Sequence, residues 1–382
     1  MADDTLSKAP DQELRHSGHG AVACQSGRLE RCESPPKSQI AERKLTHLRA
    51  ALERDVRFPR LTSGLERHRF VHWALPELDW ADIDLRCAFL GHPLSAPLLI
   101  SSMTGGAEAS DDLSPRDINL RLAQAAQEFG LALGVGSQRA ALEHPELAHT
   151  YQVRHVAPDV LLLANLGAVQ LNYGYNVAQC RRVVEMIQAD GLILHLNPLQ
   201  EYFQPQGDLN FAGLLGKIEA VCHTLEVPVI VKEVGWGISP QVARKLVQAG
   251  VAAIDVAGAG GTSWTEVEGQ LISDPLKRGV ARTFADWGMP TAEALIAVRE
   301  ALAHVPLIAS GGIRSGLEVA KVLALGADMA GIAGPLLLAA HDSSTAVRRL
   351  IKQILEELRL AMFGTGSLTL TELRRPGLLI AE

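Results

Sequence analysis

From residue 97 onward, short apolar runs alternate with longer segments of helical period, and the alternation does not stop until about residue 362. The apolar runs are PLLIS (97–101), LALGV (131–135), VLLLAN (160–165), LILHLN (192–197), PVIVK (228–232), AAIDVAG (252–258), PLIASG (306–311) and MAGIAG (329–334). None alternates apolar with polar residues, so each predicts a strand buried on both faces, the mark of a parallel sheet. Between them lie INLRLAQAAQEFG, HPELAHTYQVRHVAP, VAQCRRVVEMIQADG, FAGLLGKIEAVCHTLE, SPQVARKLVQAG, TAEALIAVREALAH and GLEVAKVLALG, and a last helix is expected from about Pro335 to Met362. Gly130, Gly191, Gly250 and Gly326 stand just before strands, where a glycine ends a helix. Eight strand–helix pairs in one run predict an α/β fold, the closed (β/α)8 TIM barrel, with an N-terminal extension. A doubly wound open sheet would have fewer strands and a GxGxxG after the first, and that fingerprint is missing here.

The remaining chain divides around this repeat. Residues 1–38 are rich in Ser, Gly and charge and close in ESPPKSQ, too polar to repay the entropy of ordering, so they are expected to form a flexible tail. Residues 39–365 are expected to form one domain, in which 39–96 lead in through a charged helix (40–55) and β-like pieces HRFVHW and DIDLRCAFL; 366–382 form a C-terminal tail. Charge adds exclusions: 36 Lys+Arg against 43 Asp+Glu gives −7 without a basic run, which argues against nucleic acid. No apolar stretch approaches the ~20 residues of a membrane span. The start MADDTLSKAPDQELR lacks a basic-then-apolar leader, and the five cysteines include no CxxC pair. A cytoplasmic protein with neither disulfide framework nor zinc site is the expectation.

Barrel chemistry sits in the loops after the strands, and the unusual residues fall there. The Gly-rich loops after the seventh and eighth strands each open a helix, so Gly311, Gly312, Arg314, Ala333 and Gly334 are expected to cradle a phosphomonoester. Lys232 ends an apolar strand, where a charge is costly without an anionic partner. Asn165 ends the third strand, a position that also suits a turn cap. In HLNPLQE, His195 and Asn197 share strand parity, Gln200 follows, and Glu201 offers the hard oxygen that Mg²⁺ prefers. In TSWTEVEG, Glu266 and Glu268 compete for one role, and spacing does not choose between them. Upstream, Arg43, Lys44 and His47 form a cationic cluster on a helix, either a solvated face or a second anion contact.

In order, RKLTH, SSMTGG, GSQR, HLNPLQE, VKEVGWG, AGAGGTSW with its VE, GGIRSG and AGPLL resemble the type 2, flavin-dependent isopentenyl-diphosphate isomerases over residues 40–365. The resemblance implies interconversion of isopentenyl and dimethylallyl diphosphate with FMN, NADPH as reductant and Mg²⁺, in a homo-oligomer of four or eight copies. It implies FMN contacts from Ser101, Ser102, Met103, Thr104, Ser137, Asn165, Lys232 and Thr262, with the phosphate at Gly312, Ile313 and Arg314 and at Ala333 and Gly334. It implies substrate contacts from Arg43, Lys44, His47, Ser137, Gln138, Arg139, His195 and Gln200, a metal at Glu201, and catalytic roles for Gln200, Glu268 and His195. Two other readings predict differently. An FMN-dependent 2-hydroxy acid oxidase or dehydrogenase would place a histidine where Ser310 stands, and a non-catalytic flavin- or phosphate-binding module would need no magnesium.

Overall fold

A computed structural model describes residues 37–108, 110 and 113–381. The tail expected over 1–38 lies almost wholly outside the described residues, which begin within a helix, α1 (Lys37–Glu53).

All eight expected strands are present: β1 (Leu98–Ile100), β2 (Ala132–Gly134), β3 (Leu162–Gly167), β4 (Gly191–Leu196), β5 (Val229–Glu233), β6 (Ala253–Asp255), β7 (Leu307–Ser310) and β8 (Met329–Ile332). They pair in parallel and close into a barrel, with β8 returning to β1 through the register Ala330↔Leu98. Their outward side chains, among them Leu98, Leu133, Leu162, Leu194, Val231 and Ile254, pack beneath the surrounding helices. Their inward side chains form a separate core of Leu99, Ala132, Leu163, Ile193, Ile230, Ala253, Ile308 and Met329. Burial on both faces explains the unbroken apolar runs.

A hairpin within the lead-in segment stops the barrel floor. Cys87–Phe89 pairs with His92–Leu94 around Leu90 and Gly91, both at positive φ (48° and 83°), and Phe89 and Leu94 join the inner core. Positive φ at both central residues is the turn that matches strand twist. After the barrel, Leu373 and Leu378 are buried, and Leu379–Ala381 pairs antiparallel with His68–Phe70. No helix among the described residues is long and apolar enough to cross a membrane.

Three local expectations are corrected. The last helix is two, Gly334–Asp342 and Ser344–Gly364, because Ser343 turns extended and caps the second by accepting from Ala346 N–H. The HPELAHTYQVRHVAP stretch makes only 3₁₀ turns, Pro145–Thr150 and Arg154–Val156. Gly191 begins β4 rather than ending a helix; Gln188, at φ 53°, takes the left-handed cap after Val177–Ile187.

Candidate active site

Two residues beyond the inner apolar layer, the same strand parity turns the next side chains inward. That layer reads Ser101, Gly134, Asn165, His195, Lys232, Asp255, Ser310 and Gly331. Its two glycines are spatially required: a Cβ on either would stand 2.6 Å from a serine Oγ, Ser102 for Gly134 and Ser101 for Gly331. Asp255, 1% exposed, accepts from Ser310 Oγ at 2.7 Å through one oxygen, while its other oxygen lies 3.5 Å from Lys232 Nζ. The lysine expected to need an anionic partner therefore has one from the neighbouring strand. Asn165 Oδ1 pairs with His195 Nδ1 at 2.8 Å. Burial, then the nearby Lys232 and Lys44, push the His195 ring down to about 3, so it is neutral at physiological pH.

Above this layer the mouth divides into two adjoining cavities that share Ser102, Met103, Lys232, Val234 and Trp264. The larger, about 590 Å³, is bounded by Ser101, Thr262, Gly312, Ile313, Arg314, Ala333 and Gly334. Here the phosphate expectation is refined. The N–H groups of Arg314 and Ser315 are already bonded to Glu318, and that of Gly316 to Glu357, so the helix Gly316–Ala324 offers little at its start. The N–H groups of Gly312, Ile313, Ala333 and Gly334 have no acceptor among the described residues, an arrangement that suits an anion. A Cβ on Gly261 would stand 2.6 Å from Gly312 N, which shows how closely the strand-six loop presses against it. The buried hydroxyls of Ser101, Ser102 and Thr104 also lack partners among the described residues. Apolar walls, hydroxyls without partners and a four-donor cradle suit a flavin mononucleotide.

The smaller cavity, about 180 Å³, gathers Arg43, Lys44, Ser137, Arg139, His195, Gln200 and Glu201. Helix α1 thus lies across the mouth, and it is fastened there. Lys44 Nζ donates to Gly105 O (3.0 Å), Ser137 O (2.7 Å) and Tyr151 Oη (2.9 Å). Burial, reinforced by Arg43 and Arg139, pushes this ammonium down to about 7. Opposite, Glu201 accepts from Asn197 Nδ2 at 2.9 Å and from Asp208 N–H at 2.8 Å, and burial raises its carboxyl above the ordinary range. Beside it, Asn197 Oδ1 is buried with no partner among the described residues. One carboxylate and a spare amide oxygen, with no cluster of three acidic, histidine or cysteine ligands among the described residues, suit a metal completed by substrate oxygens.

The two glutamates that spacing left level differ in burial and in partners. Glu268, fully buried, lies 3.1 Å from His47 Nε2 and accepts from Gln200 Nε2 at 3.2 Å, with Oε2 unpartnered; Glu266 on the same short helix is only half-buried. Gln138 does not reach either cavity: its Nε2 donates to Val183 O and its Oε1 accepts from Asn165 N–H, bracing the barrel wall. Sequence reasoning missed Asp255, Tyr151 and Asp208. Strand parity with Lys232 would have found the first; the other two are brought in by tertiary folding alone.

This combination of fold and mouth defines a flavin-type barrel enzyme, and residues 195–379 match the FMN-dependent dehydrogenase family. In architecture the chain is similar to mandelate oxidase with an FMN adduct, at TM-score 0.59 and 20% identity over 88% of this chain and 91% of that one, a likeness of fold alone. Much nearer in sequence is an isopentenyl-diphosphate delta-isomerase of Nostoc sp., 55% identical across 89% of this chain and 96% of its own length. That of Synechococcus sp. is 56% identical across 90% and 97%. The chain belongs to the isopentenyl-diphosphate delta-isomerase family and is an isomerase.

Proposed function

We propose that this barrel interconverts isopentenyl and dimethylallyl diphosphate, using reduced FMN and Mg²⁺, with NADPH as the external reductant. One observation carries the reading: a cavity suited to a flavin shares a wall with a cation-rich cavity holding a single buried carboxylate. Arg43, Arg139 and the Lys44 charge attract the diphosphate, while Glu201 would hold magnesium bridging to its oxygens. His195, whose Nδ1 faces Asn165, lines the same space; an arriving diphosphate raises its basicity and favours a proton on the ring.

When bound and reduced, the flavin supplies an electron-rich ring able to stabilise developing positive charge and exchange a proton. Lys232, held by Asp255, would favour the anionic reduced form. Gln200, steadied between Asn197 and Glu268, positions the alkene, and Glu268 behind it, whose Oε2 has no partner among the described residues, takes up or returns a proton. The net reaction adds one proton and removes another, so nothing is oxidised overall. The protein is further proposed to act in the cytoplasm as a tetramer or octamer.

The deciding experiment is anaerobic. Protein reconstituted with FMN and Mg²⁺ should form dimethylallyl diphosphate only after the flavin is bleached by NADPH, and should turn over neither lactate nor glycolate. Equal isomerisation with oxidised flavin overturns the reading. For hydroxy-acid oxidation, the structure offers Ser310, bonded to Asp255, where a histidine base would be needed.

A further inference from the structure

The geometry points to Asp208 as a positioning residue that fixes Arg139 and Glu201 relative to each other, so that the mouth receives the diphosphate as its metal complex. This rests on the diphosphate reading above. Asp208 lies in the loop after Pro198–Phe203 and performs two tasks at once. Its Oδ2 accepts from Arg139 Nη1 at 2.8 Å and from Gln170 Nε2 at 3.0 Å, while its own N–H donates to Glu201 Oε2 at 2.8 Å. Among the described residues, Arg139 is otherwise held through Nε by Glu143, one helical turn along. A guanidinium gripped by one carboxylate pivots; gripped from both sides its plane is set.

The loop is itself rigidly placed. At Gly207 a Cβ would stand 1.7 Å from the Glu201 carbonyl oxygen, so only glycine lets the backbone press against the residue that Asp208 steadies. Two residues beyond Asp208, Asn210 N–H donates to Tyr173 Oη at 2.9 Å, and Asn172 Nδ2 donates to Asn210 O at 2.7 Å. The loop is therefore stitched to β4's helix on one side and to the turn after β3 on the other.

Charge explains why such a brace is useful. Glu143 and Asp208 bond Arg139 and Glu201 lies within electrostatic reach of it, so on this side of a cation-rich cavity carboxylates balance the guanidinium. Free diphosphate meets these carboxylates as well as the cations, whereas magnesium diphosphate offers its oxygens to Arg139 and its metal to Glu201. The alternation works only if Arg139 and Glu201 keep their separation, which is what Asp208 enforces.

The test uses the full-length, FMN-loaded protein. Asp208→Ala, which keeps the main-chain N–H to Glu201 and removes the carboxylate that holds Arg139, should raise the KM for isopentenyl diphosphate by about 10- to 100-fold and with it the Mg²⁺ needed for half-activation, with kcat at saturation little changed. FMN affinity and the flavin spectrum should not move. Asp208→Asn, which keeps an acceptor for Arg139 and loses the charge, should fall between. Calorimetric titration with inorganic pyrophosphate and Mg²⁺ gives a readout independent of turnover: the wild-type protein should bind and Asp208→Ala should bind weakly. If wild type binds and Asp208→Ala binds equally, or if kcat alone falls, the inference is overturned and the diphosphate reading survives. If wild type does not bind magnesium pyrophosphate, the diphosphate reading fails and takes this inference with it.

Discussion

The inner apolar layer of the barrel and the polar layer two residues above it are built by the same eight strands with the same inward parity. Yet Leu99, Leu163, Ile193, Ile230, Ile308 and Met329 leave no polar group to satisfy, whereas Ser101, Asn165, His195, Lys232, Asp255 and Ser310 carry most of the neighbouring layer. The lower layer gains from being dry. The upper one is tolerable only because its charges pair internally, Lys232 with Asp255, and because oxygens and N–H groups are left for ligands. One rise of the pleat separates stability from chemistry.

The sharpest way to break that contrast is at the rim. Glu268→Gln should lower kcat by about 10²–10⁴-fold with FMN binding retained, whereas Glu266→Gln on the same turn of helix should leave kcat nearly unchanged. Steady-state assays of both variants decide; similar losses in the two would mean that burial of Glu268 is structural. Next, Ile230→Ala in the dry layer should destabilise the fold by about 2–5 kcal/mol in urea titrations, while the folded fraction keeps its specific activity. A large loss of turnover without a stability change would erase the division between the layers.

The smallest effect is a slope. His195 sits near 3 in the folded protein against an ordinary 6.5, so below 6.5 the unfolded chain binds a proton that the native ring refuses. Stability of the ligand-free protein should therefore fall as pH drops from 6.5 towards 3, and His195→Gln should flatten that part of the curve. Identical curves for both proteins would show that the ring is protonated in place.

What the sequence displayed, and what it hid, follows from the range of the forces involved. The strands, Gly312, Gly334 and HLNPLQE were legible because burial on two faces and tight turns leave local marks. The break at Ser343 was readable as an N-cap within the polar run HDSST, which interrupts the apolar period between Ala340 and Val347. Gln138 misled because it sits between Ser137 and Arg139, which do line the mouth, while its own side chain turns into the wall. Tyr151 and Asp208 carried no local signal at all: each matters through partners dozens of residues away, Lys44 for the one and Arg139 for the other.

Lys44 grips acceptors that lie 61, 93 and 107 residues further along the chain. The ribosome therefore makes the cover of this vessel before the vessel, and the cover has nothing to fasten to until the segment bearing Tyr151 has emerged and the strands beneath have closed. Synthesis and fastening are thus separated at this point: the earliest described helix finds its last acceptor only when a residue 107 positions further on has been made, and until it is fastened the interior stands open from above.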